Sequence, residues 1–494
     1  MELLNLELIN TLLTHQKTVL ISTGAHQEAE IESIFNNLAS DNWIPMHCVS
    51  NYPTINVNSK LGYINYLTKK WGKIAGYSSH DENWELCLLA FSAGAKIIER
   101  HITLNKYAQG LDHTTSSLPN EFLKISNFMD EFVQISQGNS PRQMNQGELI
   151  NRQNLGKSYF ALKDFKVGEL LDEKYLAYHH PKVGISREKI KLFVGKKFFQ
   201  DCNKGAAITE SHFKKPIHLK RSTIDHCEQL QVALPVRFHD YELIATRFPL
   251  NNFELHLSAN DVKRMDKFEI VNPLHKFSIH FPDYQNSTQL LDPFSTDSNC
   301  KKRSIDIIEK IKRFAIQLSE KQNDKVILVA SFSSHGKQKS NFYEMCRDLQ
   351  SDFDKENLIL AYQWLPPYAW YFGGSKSLTE FNNISDLDFI VNNKLNICLD
   401  TSHLLLSSTF YGFDPLTVLR RLSNQIVQFH LADAKGFDGE GFQIGEGDAH
   451  NLELFNQVFK FPQRKVLEPW QGHLNLYSGF YEAIETIGNF YDIK

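Results

Sequence analysis

The sequence lacks several features that would each assign it to a class of protein. Its seven cysteines are odd in number and include no C-x-x-C pair, which argues against a disulfide framework or a structural zinc site. A net charge of only −4 provides no global basic field to recruit nucleic acid. No apolar run approaches the roughly 20 residues of a membrane span, and the N-terminus lacks the basic start of a signal peptide. These absences predict a cytoplasmic protein that acts without nucleic acid or membrane partners.

The chain is long, and its composition is that of an ordinary globular protein. Of its 494 residues, 42% are apolar and 22% are charged, as in soluble domains generally. This length exceeds one compact core and predicts roughly three domains. The strand and helix patterns then indicate where these domains lie.

The first part of the chain alternates apolar, strand-like runs with amphipathic helical patterns. Such alternation indicates parallel βα units. Four units are predicted, with strands at KTVLIST, WIPMHCVS, KIAGYSS and AKIIERH. A polar stretch at residues 139–156, rich in Gly, Gln, Asn and Ser, is predicted to be a linker.

Two further domains are predicted after this linker. Residues 157–216 contain short strand-like runs broken by Lys and Gly turns, which indicates a small β-rich domain. Residues 228–494 contain eight apolar runs with helical patterns between most of them, the size and strand count of a (β/α)8 barrel. The predicted fold class is α/β: a partial barrel of about four βα units, a small β-rich domain and a complete TIM barrel.

Polar residues follow each of the four strands of the first segment. In a barrel, residues at the carboxyl ends of the strands face the active-site mouth. His80 and His101 follow two neighbouring strands, where two imidazoles on one rim can bind one divalent cation. The hydroxyls of Ser22, Ser50 and Ser78 suit phosphate oxygens, which accept hydrogen bonds. The alternative interpretation is that these side chains are ordinary caps and loop residues.

Five motifs in this segment occur in the order and with the gaps of a known family. They are STG, HCVSNYP, GYSSH, GAKIIERHITL and GLDH. The segment from Lys17 to about Ile135 resembles the N-acetylneuraminate (sialic acid) synthase family. The next domain resembles the SAF, or antifreeze-like, domain on the runs ALKDFKVGELL and GKKFFQDCNKGAAIT. The resemblance implies that residues 1–138 form the C-terminal half of a synthase-type barrel and residues 157–216 a SAF domain.

The resemblance implies a reaction as well as a fold. Members of the family condense phosphoenolpyruvate with an N-acylated hexosamine, typically N-acetylmannosamine, to a nine-carbon 3-deoxy-2-keto acid and phosphate. It implies Mn²⁺ or Mg²⁺ held by His80 and His101 as a Lewis acid, and a homodimer formed by domain swapping of the SAF domain. The other implied roles are phosphoenolpyruvate contacts by Ser22, Ser50 and Ser78, sugar contacts by Tyr52, Asp112 and His180, and catalytic proton transfer by Glu99.

Three features depart from the family pattern. The family's barrel has eight strands, and this chain begins just before the fifth. The usual SDH reads SSH, with Ser79 in place of Asp, and His180 stands where the SAF domain normally has Arg before Pro. A shorter, mostly neutral side chain there loses a charged contact to the N-acyl group. Three interpretations of the missing half remain open: a fragment or late-start gene model, which we favour, a separate complementing polypeptide, or a degenerate synthase.

The second barrel has its own polar set at the strand ends. Asp400, His430 and Glu468 follow or end three of its strands, and His256 and His280 end two others. Mixed imidazole and carboxylate side chains are typical ligands of a divalent cation. The alternative interpretation is a scatter of unrelated polar residues on the rim.

This region resembles the xylose isomerase-like barrel superfamily, which includes sugar phosphate isomerases, epimerases and family 2 AP endonucleases. The resemblance rests on the runs LDTSH, HLADAKG, IGEGD and VLEP. It implies a divalent metal held by Asp400, His430 and Glu468. The usual fourth ligand, a Glu, is Gln363 here, and an uncharged amide predicts weaker binding or a different metal. His403 is implied to lie near the substrate as a catalytic residue, and Glu468 to act as a base.

Together these inferences predict a protein of nonulosonic (sialic or legionaminic-type) acid biosynthesis, with a synthase-type part fused to a sugar isomerase or epimerase. The alternative is a truncated, synthase-inactive chain in which only the C-terminal barrel acts or binds sugar. DNA repair by this barrel is disfavoured, because the segment lacks a Lys/Arg stripe with interleaved aromatic residues. The sequence leaves open which hexosamine is used and what the second barrel acts on.

Overall fold

The computed structural model describes residues 2–15, 17–110, 112–136, 141–142, 144–333, 338–371 and 374–490. The chain divides into two compact units, residues 1–142 and residues 143–494. All seven cysteines are buried and free. Within the described ranges, no helix is both long enough and apolar enough to cross a membrane.

The first unit is built on a parallel sheet whose four strands lie in sequence order, with β1 and β4 at its edges. The four predicted strands of the partial barrel are therefore confirmed. The strands are β1 (Val19–Ser22), β2 (Trp43–Cys48), β3 (Gly76–Ser79) and β4 (Ile97–Arg100). The helices are α1 (Leu6–Thr14), α2 (Glu28–Phe35), α3 (Gly62–Trp71), α4 (Glu85–Ser92) and α5 (Pro119–Ile135).

The burial pattern of β1 shows which face of this sheet the helices cover. Ile21 is buried in a core cluster with Ile31 and Ile34 of α2, whereas Leu20 and Ser22 are exposed. Successive side chains of a strand point to opposite faces. Leu20 and Ser22 therefore lie on the inner face of the partial barrel, whose rim carries the strand-end residues.

The second unit begins with helix α6 (Gln146–Leu155) and a small β region. Strands β5 (Ser158–Ala161) and β6 (Leu176–His179) pair antiparallel. The core of this region contains the stacked rings of Phe165 and Phe198, 4.7 Å apart, which are both completely buried. Few residues lie in regular strands here, so packing of aromatic side chains carries much of its stability.

The remainder of the second unit is a closed barrel of eight parallel strands, as predicted. In barrel order the strands are β7 (Val232–Val236), β8 (Asn252–His256), β9 (Lys276–His280), β10 (Ile327–Ala330), β11 (Ile359–Gln363), β14 (Ile397–Asp400), β15 (Ile426–Leu431) and β18 (Arg464–Leu467). β18 pairs with β7 and closes the ring. Closure leaves no free sheet edge and directs all eight carboxyl ends to one mouth.

Helices surround this barrel, and two hairpins extend from it. The helices are α7 (Arg221–Gln229), α8 (Tyr241–Arg247), α9 (Ser298–Gln322), α10 (Lys339–Asp354), α11 (Leu387–Asn392), α12 (Thr401–Tyr411), α13 (Pro415–Arg421), α14 (Leu452–Val458) and α15 (Leu474–Phe490). The hairpin strands are β12 (Tyr368–Tyr371) and β13 (Gly374–Ser377), then β16 (Asp433–Lys435) and β17 (Gly439–Phe442). Both hairpins follow carboxyl ends of barrel strands, so they belong to the mouth.

Candidate functional site

Two carboxylates and an imidazole converge at the mouth of the closed barrel. Asp400 ends β14, His430 lies near the end of β15, and Glu468 directly follows β18. Each offers a potential ligand atom, and these atoms all lie within 4.8 Å of one another. His430 Nδ1 is 3.0 Å from Glu468 Oε2 and 3.9 Å from Asp400 Oδ2. The structure therefore brings together the three residues that the sequence analysis assigned to a metal.

Asp400 is held in place because it also caps the next helix. Its Oδ1 accepts the backbone N–H of His403 at 3.0 Å, which makes it the N-cap of α12. Such a cap satisfies a helix N–H group that has no partner within the helix. The other oxygen, Oδ2, accepts a hydrogen bond from Gln363 Nε2 at 2.9 Å. One D-x-x-H run thus sets the strand end, the helix start and the carboxylate direction.

Glu254 is a residue of this site that the sequence analysis missed. It is completely buried on β8 and shares a strand face with His256, two residues later. Its Oε1 lies 3.0 Å from Nε2 of both His256 and His430. Because His430 directs Nε2 to Glu254, its Nδ1 faces the other carboxylates of the site. In the sequence, the signal that could have identified Glu254 was an acidic residue at an inward position of the apolar run NFELHL.

Glu254, His256 and Glu468 form a second group whose ligand atoms lie within 4.8 Å of one another. His256 Nε2 is 3.1 Å from Glu468 Oε1. Glu468 therefore connects the two groups, with one oxygen towards each imidazole. Burial alone raises the pKa of Glu468, but the charges and hydrogen bonds of His430 and His256 outweigh it and hold that pKa well below its ordinary value.

Gln363 ends β11 and occupies the place that the resemblance gives to a fourth ligand. Its Oε1 accepts a hydrogen bond from His280 Nε2 at 3.2 Å. Its Nε2 donates to Asp400 and lies 3.3 Å from His430 Nδ1. The amide nitrogen therefore faces the group of ligand atoms, and the amide oxygen reaches it only after a flip of the side chain.

His403 lies beside this group between two carboxylates. Its Nδ1 donates to Trp364 O at 3.0 Å and is 3.3 Å from Asp400 Oδ2, and its Nε2 is 3.2 Å from Glu440 Oε1. Because both ring nitrogens face oxygen acceptors, both carry protons. Burial lowers the pKa of His403, but Asp400 and Glu440 outweigh it and raise this pKa to about 9. Glu440 lies on β17 and was missed, because only the folded hairpin brings it to the mouth.

A cavity of about 310 Å³ opens above these residues. This volume is at the lower end of the range for small-molecule sites. Polar side chains line one part of it, and apolar and aromatic side chains line another. The polar set includes Gln146, Arg237, His256, His280, Asp283, Ser331, Gln363, His403, Glu440 and Glu468, and the apolar set includes Leu257, Phe281, Leu365, Trp370, Tyr371 and Trp470. The cavity thus suits one small polar molecule.

On the rim of the first unit, the two predicted metal-binding histidines lie side by side. The ring centroids of His80 and His101 are 5.3 Å apart. The ring of Tyr52 packs on both, at 4.3 Å from His80 and 6.1 Å from His101. Among the residues that the structure describes, the groups of three or more clustered ligands include neither histidine. A carboxylate also lies beside His101, because Asp112 Oδ2 is 3.7 Å from His101 Nδ1.

The predicted hydroxyl residues lie on the same rim around Cys48, which the sequence analysis missed. Cys48 Sγ is 3.8 Å from Ser50 Oγ and 3.7 Å from His80 Nδ1. Burial raises the pKa of the thiol, but hydrogen bonds with His80, Ser22 and Ser50 outweigh it and lower the pKa of Cys48 below its ordinary value. A Cβ on Gly24 would collide with Ser50 Oγ and lie 2.8 Å from Cys48 Sγ, so glycine suits this close approach.

Glu99 and Ser78 form a pair on neighbouring strands. Ser78 Oγ donates to Glu99 Oε1 at 2.9 Å. Parallel pairing of β3 with β4 places the two residues opposite each other. Glu99 is exposed on β4, so its carboxylate remains accessible at the inner face, as a role in proton transfer requires.

A buried carboxylate, Asp81, directly follows the SSH motif in which Ser79 replaces the usual Asp. Asp81 is completely buried and accepts hydrogen bonds from Ser59 Oγ at 2.9 Å, Tyr77 Oη at 2.7 Å and Ser79 Oγ at 2.9 Å. Arg100 donates to Ser79 Oγ at 2.6 Å. Ser79 therefore belongs to a structural network under the rim rather than to its surface.

His180 belongs to the second unit, whereas the other residues assigned to the synthase site belong to the first. It precedes Pro181 through a cis peptide bond, and its Nδ1 is 3.0 Å from Gly156 O. The side chain is exposed. Its contact with an N-acyl group in a partner's site stays a prediction.

Comparison with known proteins identifies both parts of the chain. The model of the xylose isomerase-like TIM barrel family matches residues 238–486, half of the chain, and the chain belongs to that family. The NeuB family model matches residues 1–140. Both resemblances inferred from the motifs are thereby confirmed, and the chain combines a NeuB-type segment with an isomerase-like barrel.

The similar proteins reflect the same two parts. An N,N'-diacetyllegionaminic acid synthase of Campylobacter jejuni is 31% identical over 200 residues, which are 40% of this chain and 60% of that protein. A pseudaminic acid synthase of the same species is 28% identical over 202 residues, 40% of this chain and 58% of that protein. A solved D-tagatose 3-epimerase-like protein is 17% identical, with a TM-score of 0.39, and the match covers 53% of this chain and 97% of that one. The chain spans about 60% of the length of the curated synthases it matches.

Proposed function

We propose that the C-terminal barrel is a divalent-metal-dependent isomerase or epimerase of a small sugar, in a chain that serves nonulosonic acid biosynthesis. The convergence of Asp400, His430 and Glu468 beneath a small-molecule cavity carries this proposal. The names of the synthases similar to the first segment support the biosynthetic context.

The donor set fits a divalent cation such as Mn²⁺ or Mg²⁺. Two carboxylates and one imidazole are ligands that these ions accept, and Glu254 fixes the imidazole by taking its second N–H. Asp400, His430 and Glu468 would hold the ion, with Gln363 Oε1 as a fourth ligand after its amide flips. When bound, the cation supplies Lewis-acid polarisation of a carbonyl or hydroxyl group of the sugar.

The side chains of the cavity account for the proton transfers that isomerisation needs. A carboxylate removes the proton from the carbon next to a carbonyl, the C–H electron pair forms a C=C bond, and the carbonyl oxygen takes up a proton. Return of a proton to the former carbonyl carbon gives the isomer, as the hydroxyl on the original carbon loses its proton and becomes the new carbonyl. Return to the original carbon from the other face gives the epimer, as the first oxygen loses its proton and becomes the carbonyl again. Glu468 and Glu440 line the cavity and can hold this proton, and His403 can donate to a sugar oxygen.

Deuterium incorporation tests this proposal. The full chain with Mn²⁺ is incubated in D₂O with D-fructose or N-acetylmannosamine, and mass spectrometry follows uptake of deuterium at carbon. We expect uptake that requires the metal and falls about 100-fold or more in Glu468→Gln. Glu453→Gln, an exposed site on α14, makes the same chemical change away from the cavity. Metal-independent uptake, or equal loss in both variants, would contradict the proposal.

The first unit has a second candidate function, the synthase reaction. The observation that favours it is the joint position of His80, His101 and the Ser78–Glu99 pair on one rim. In that reaction, C3 of phosphoenolpyruvate attacks the sugar aldehyde carbon, water adds at C2, and phosphate leaves. His80 and His101 would hold Mn²⁺ or Mg²⁺, and Glu99 would transfer a proton.

Phosphate release distinguishes the synthase from its alternative. The full chain is given phosphoenolpyruvate, N-acetylmannosamine and Mn²⁺, with His80→Ala and His101→Ala as controls. Release that both substitutions abolish would support a working synthase site, formed in a homodimer as the resemblance implies. No release from folded protein would favour the synthase-inactive chain, in which only the C-terminal barrel acts or binds sugar.

A further inference from the structure

The polar stretch before the small β region contributes residues to the cavity of the barrel. Gln146 and Ile150, both on α6, line the cavity together with His403, Glu440 and Glu468. The helix begins at Gln146 behind the N-cap Asn145, so its first turn lies at the cavity. A segment that precedes the barrel by about 80 residues therefore forms part of its mouth.

Contacts at both ends hold α6 against the mouth. At its start, the backbone N–H of Gln146 donates to Asp438 Oδ2 at 3.3 Å, on the loop between β16 and β17. Near its end, Gln471 Nε2 donates to Gln153 Oε1 at 2.5 Å. Asp438 and Gln471 follow the seventh and eighth barrel strands, where substrate-binding loops of such barrels lie. The helix is thus tied across one side of the opening.

The closest approach in this contact is between Gly147 and an aromatic wall of the cavity. A Cβ on Gly147 would lie 2.5 Å from Cε3 and Cζ3 of Trp370, closer than any side chain can sit without a shift. Glycine is therefore required for the helix backbone to rest on this ring. Trp370 also lines the cavity, so the helix and the ring form one continuous wall.

Gln146 provides the observation that points to a ligand. Gln146 is only 4% exposed, and among the described residues its side-chain amide has no hydrogen-bond partner. Its amide atoms are not among the fully enclosed polar atoms that lack a partner, so the amide meets the open space of the cavity. Because Gln146 lines the cavity, a bound molecule can satisfy it. An amide both donates and accepts, as do the hydroxyl groups of a sugar.

We propose that α6 is the roof of the barrel's active site and that Gln146 contacts a single monosaccharide-sized, polyhydroxylated substrate. This inference rests on the proposed function of the barrel and names the size of its substrate. A volume of 310 Å³ corresponds to roughly ten water molecules of about 30 Å³ each, enough for one hexose unit. Because α6 is tied across one side of the opening, we expect it to obstruct the outward extension of a second sugar unit.

Hydrogen–deuterium exchange of the full chain, without ligand, tests the roof independently of any activity. We expect the amides of α6 to be protected, and Gly147→Leu to remove that protection because its side chain collides with Trp370. Exchange of wild-type α6 at the rate of an unstructured segment would overturn the inference.

Ligand binding tests the contact. In the presence of Mg²⁺, saturation-transfer NMR measures the binding of D-fructose and N-acetylmannosamine, with the disaccharide lactulose as a size probe. We expect Gln146→Ala to weaken monosaccharide binding about threefold to tenfold, and Asn154→Ala, an exposed amide on the same helix, to leave it unchanged. Lactulose should bind only to Gly147→Leu.

The other outcomes would overturn the Gln146 contact, the roof formed by α6, or the proposed substrate class. Equal binding by wild type and Gln146→Ala, or equal loss in Asn154→Ala, would overturn the assignment of Gln146. Lactulose binding to the wild type would overturn the roof. If α6 is protected but the wild type binds neither monosaccharide, the proposed function fails on its substrate class, and the contact by Gln146 fails with it.

Discussion

Replacing Gln363 by Glu supplies the carboxylate that the resemblance implies at the fourth ligand position, and its effects on stability should have opposite signs with and without metal. Gln363 Nε2 donates to Asp400 Oδ2 at 2.9 Å. A glutamate cannot make this bond and instead brings two carboxylates together. At an effective dielectric of about 20, two charges about 3 Å apart repel by on the order of 5 kcal/mol as an upper limit.

Relaxation and the remaining contacts reduce this repulsion. His280 Nε2 already donates to Gln363 Oε1 at 3.2 Å and can do the same for a glutamate. We therefore expect the metal-free Gln363→Glu barrel to lose about 2 kcal/mol of its free energy of unfolding. With a divalent cation, the added negative charge should tighten binding about tenfold to 100-fold, which is about 1.4 to 2.8 kcal/mol.

Manganese titration monitored by electron paramagnetic resonance measures the affinity, and thermal unfolding with EDTA or with excess Mn²⁺ measures the two stabilities. The gain in stability on adding Mn²⁺ should be larger in Gln363→Glu than in the wild type. Gln229→Glu, an exposed site at the end of α7, controls for the change in net charge. Unchanged or weaker Mn²⁺ affinity in Gln363→Glu would refute the assignment of this position to the ligand set.

Three further predictions concern residues below or away from the cavity. Glu254→Gln should weaken Mn²⁺ binding about tenfold or more, since the Glu254 carboxylate orients His430; an unchanged Mn²⁺ affinity would exclude that role. Phe198→Ala should remove about 3–5 kcal/mol from the stability of the small β region, since its fully buried ring stacks on another; a loss under about 1 kcal/mol in urea denaturation would contradict the packing. Burial lowers the pKa of Lys465 from 10.5 to about 8. Between these values the unfolded chain binds more protons than the folded one, so stability should rise with pH. Relative to Lys465→Met, the wild-type free energy of unfolding should gain about 2 kcal/mol between about pH 7.5 and pH 9.5. A difference between the two proteins that does not change with pH would disprove the lowered pKa of Lys465.

The sequence alone was sufficient for the strands and for much of the ligand group. Asp400, His430 and Glu468 were identified because apolar runs mark parallel strands, and parallel strands in a barrel bring their carboxyl ends to one mouth. The same argument placed His80 and His101 on one rim, where their rings are 5.3 Å apart. Residues at strand ends are predictable because position along the strand, a local property, determines where they meet.

Only the tertiary structure could assign the residues that reach these sites by other routes. Glu254 lies within a strand, and it becomes part of the site because β8 and β15 direct it and His430 to the same interior of the closed barrel. Glu440 reaches His403 through the fold of a hairpin. Gln146 belongs to a polar stretch without clear periodicity, and its place at the cavity depends on contacts with residues about 300 positions away. Local patterns determine elements and their ends, whereas packing between distant segments determines which buried polar groups share a site, because no local signal encodes those distances.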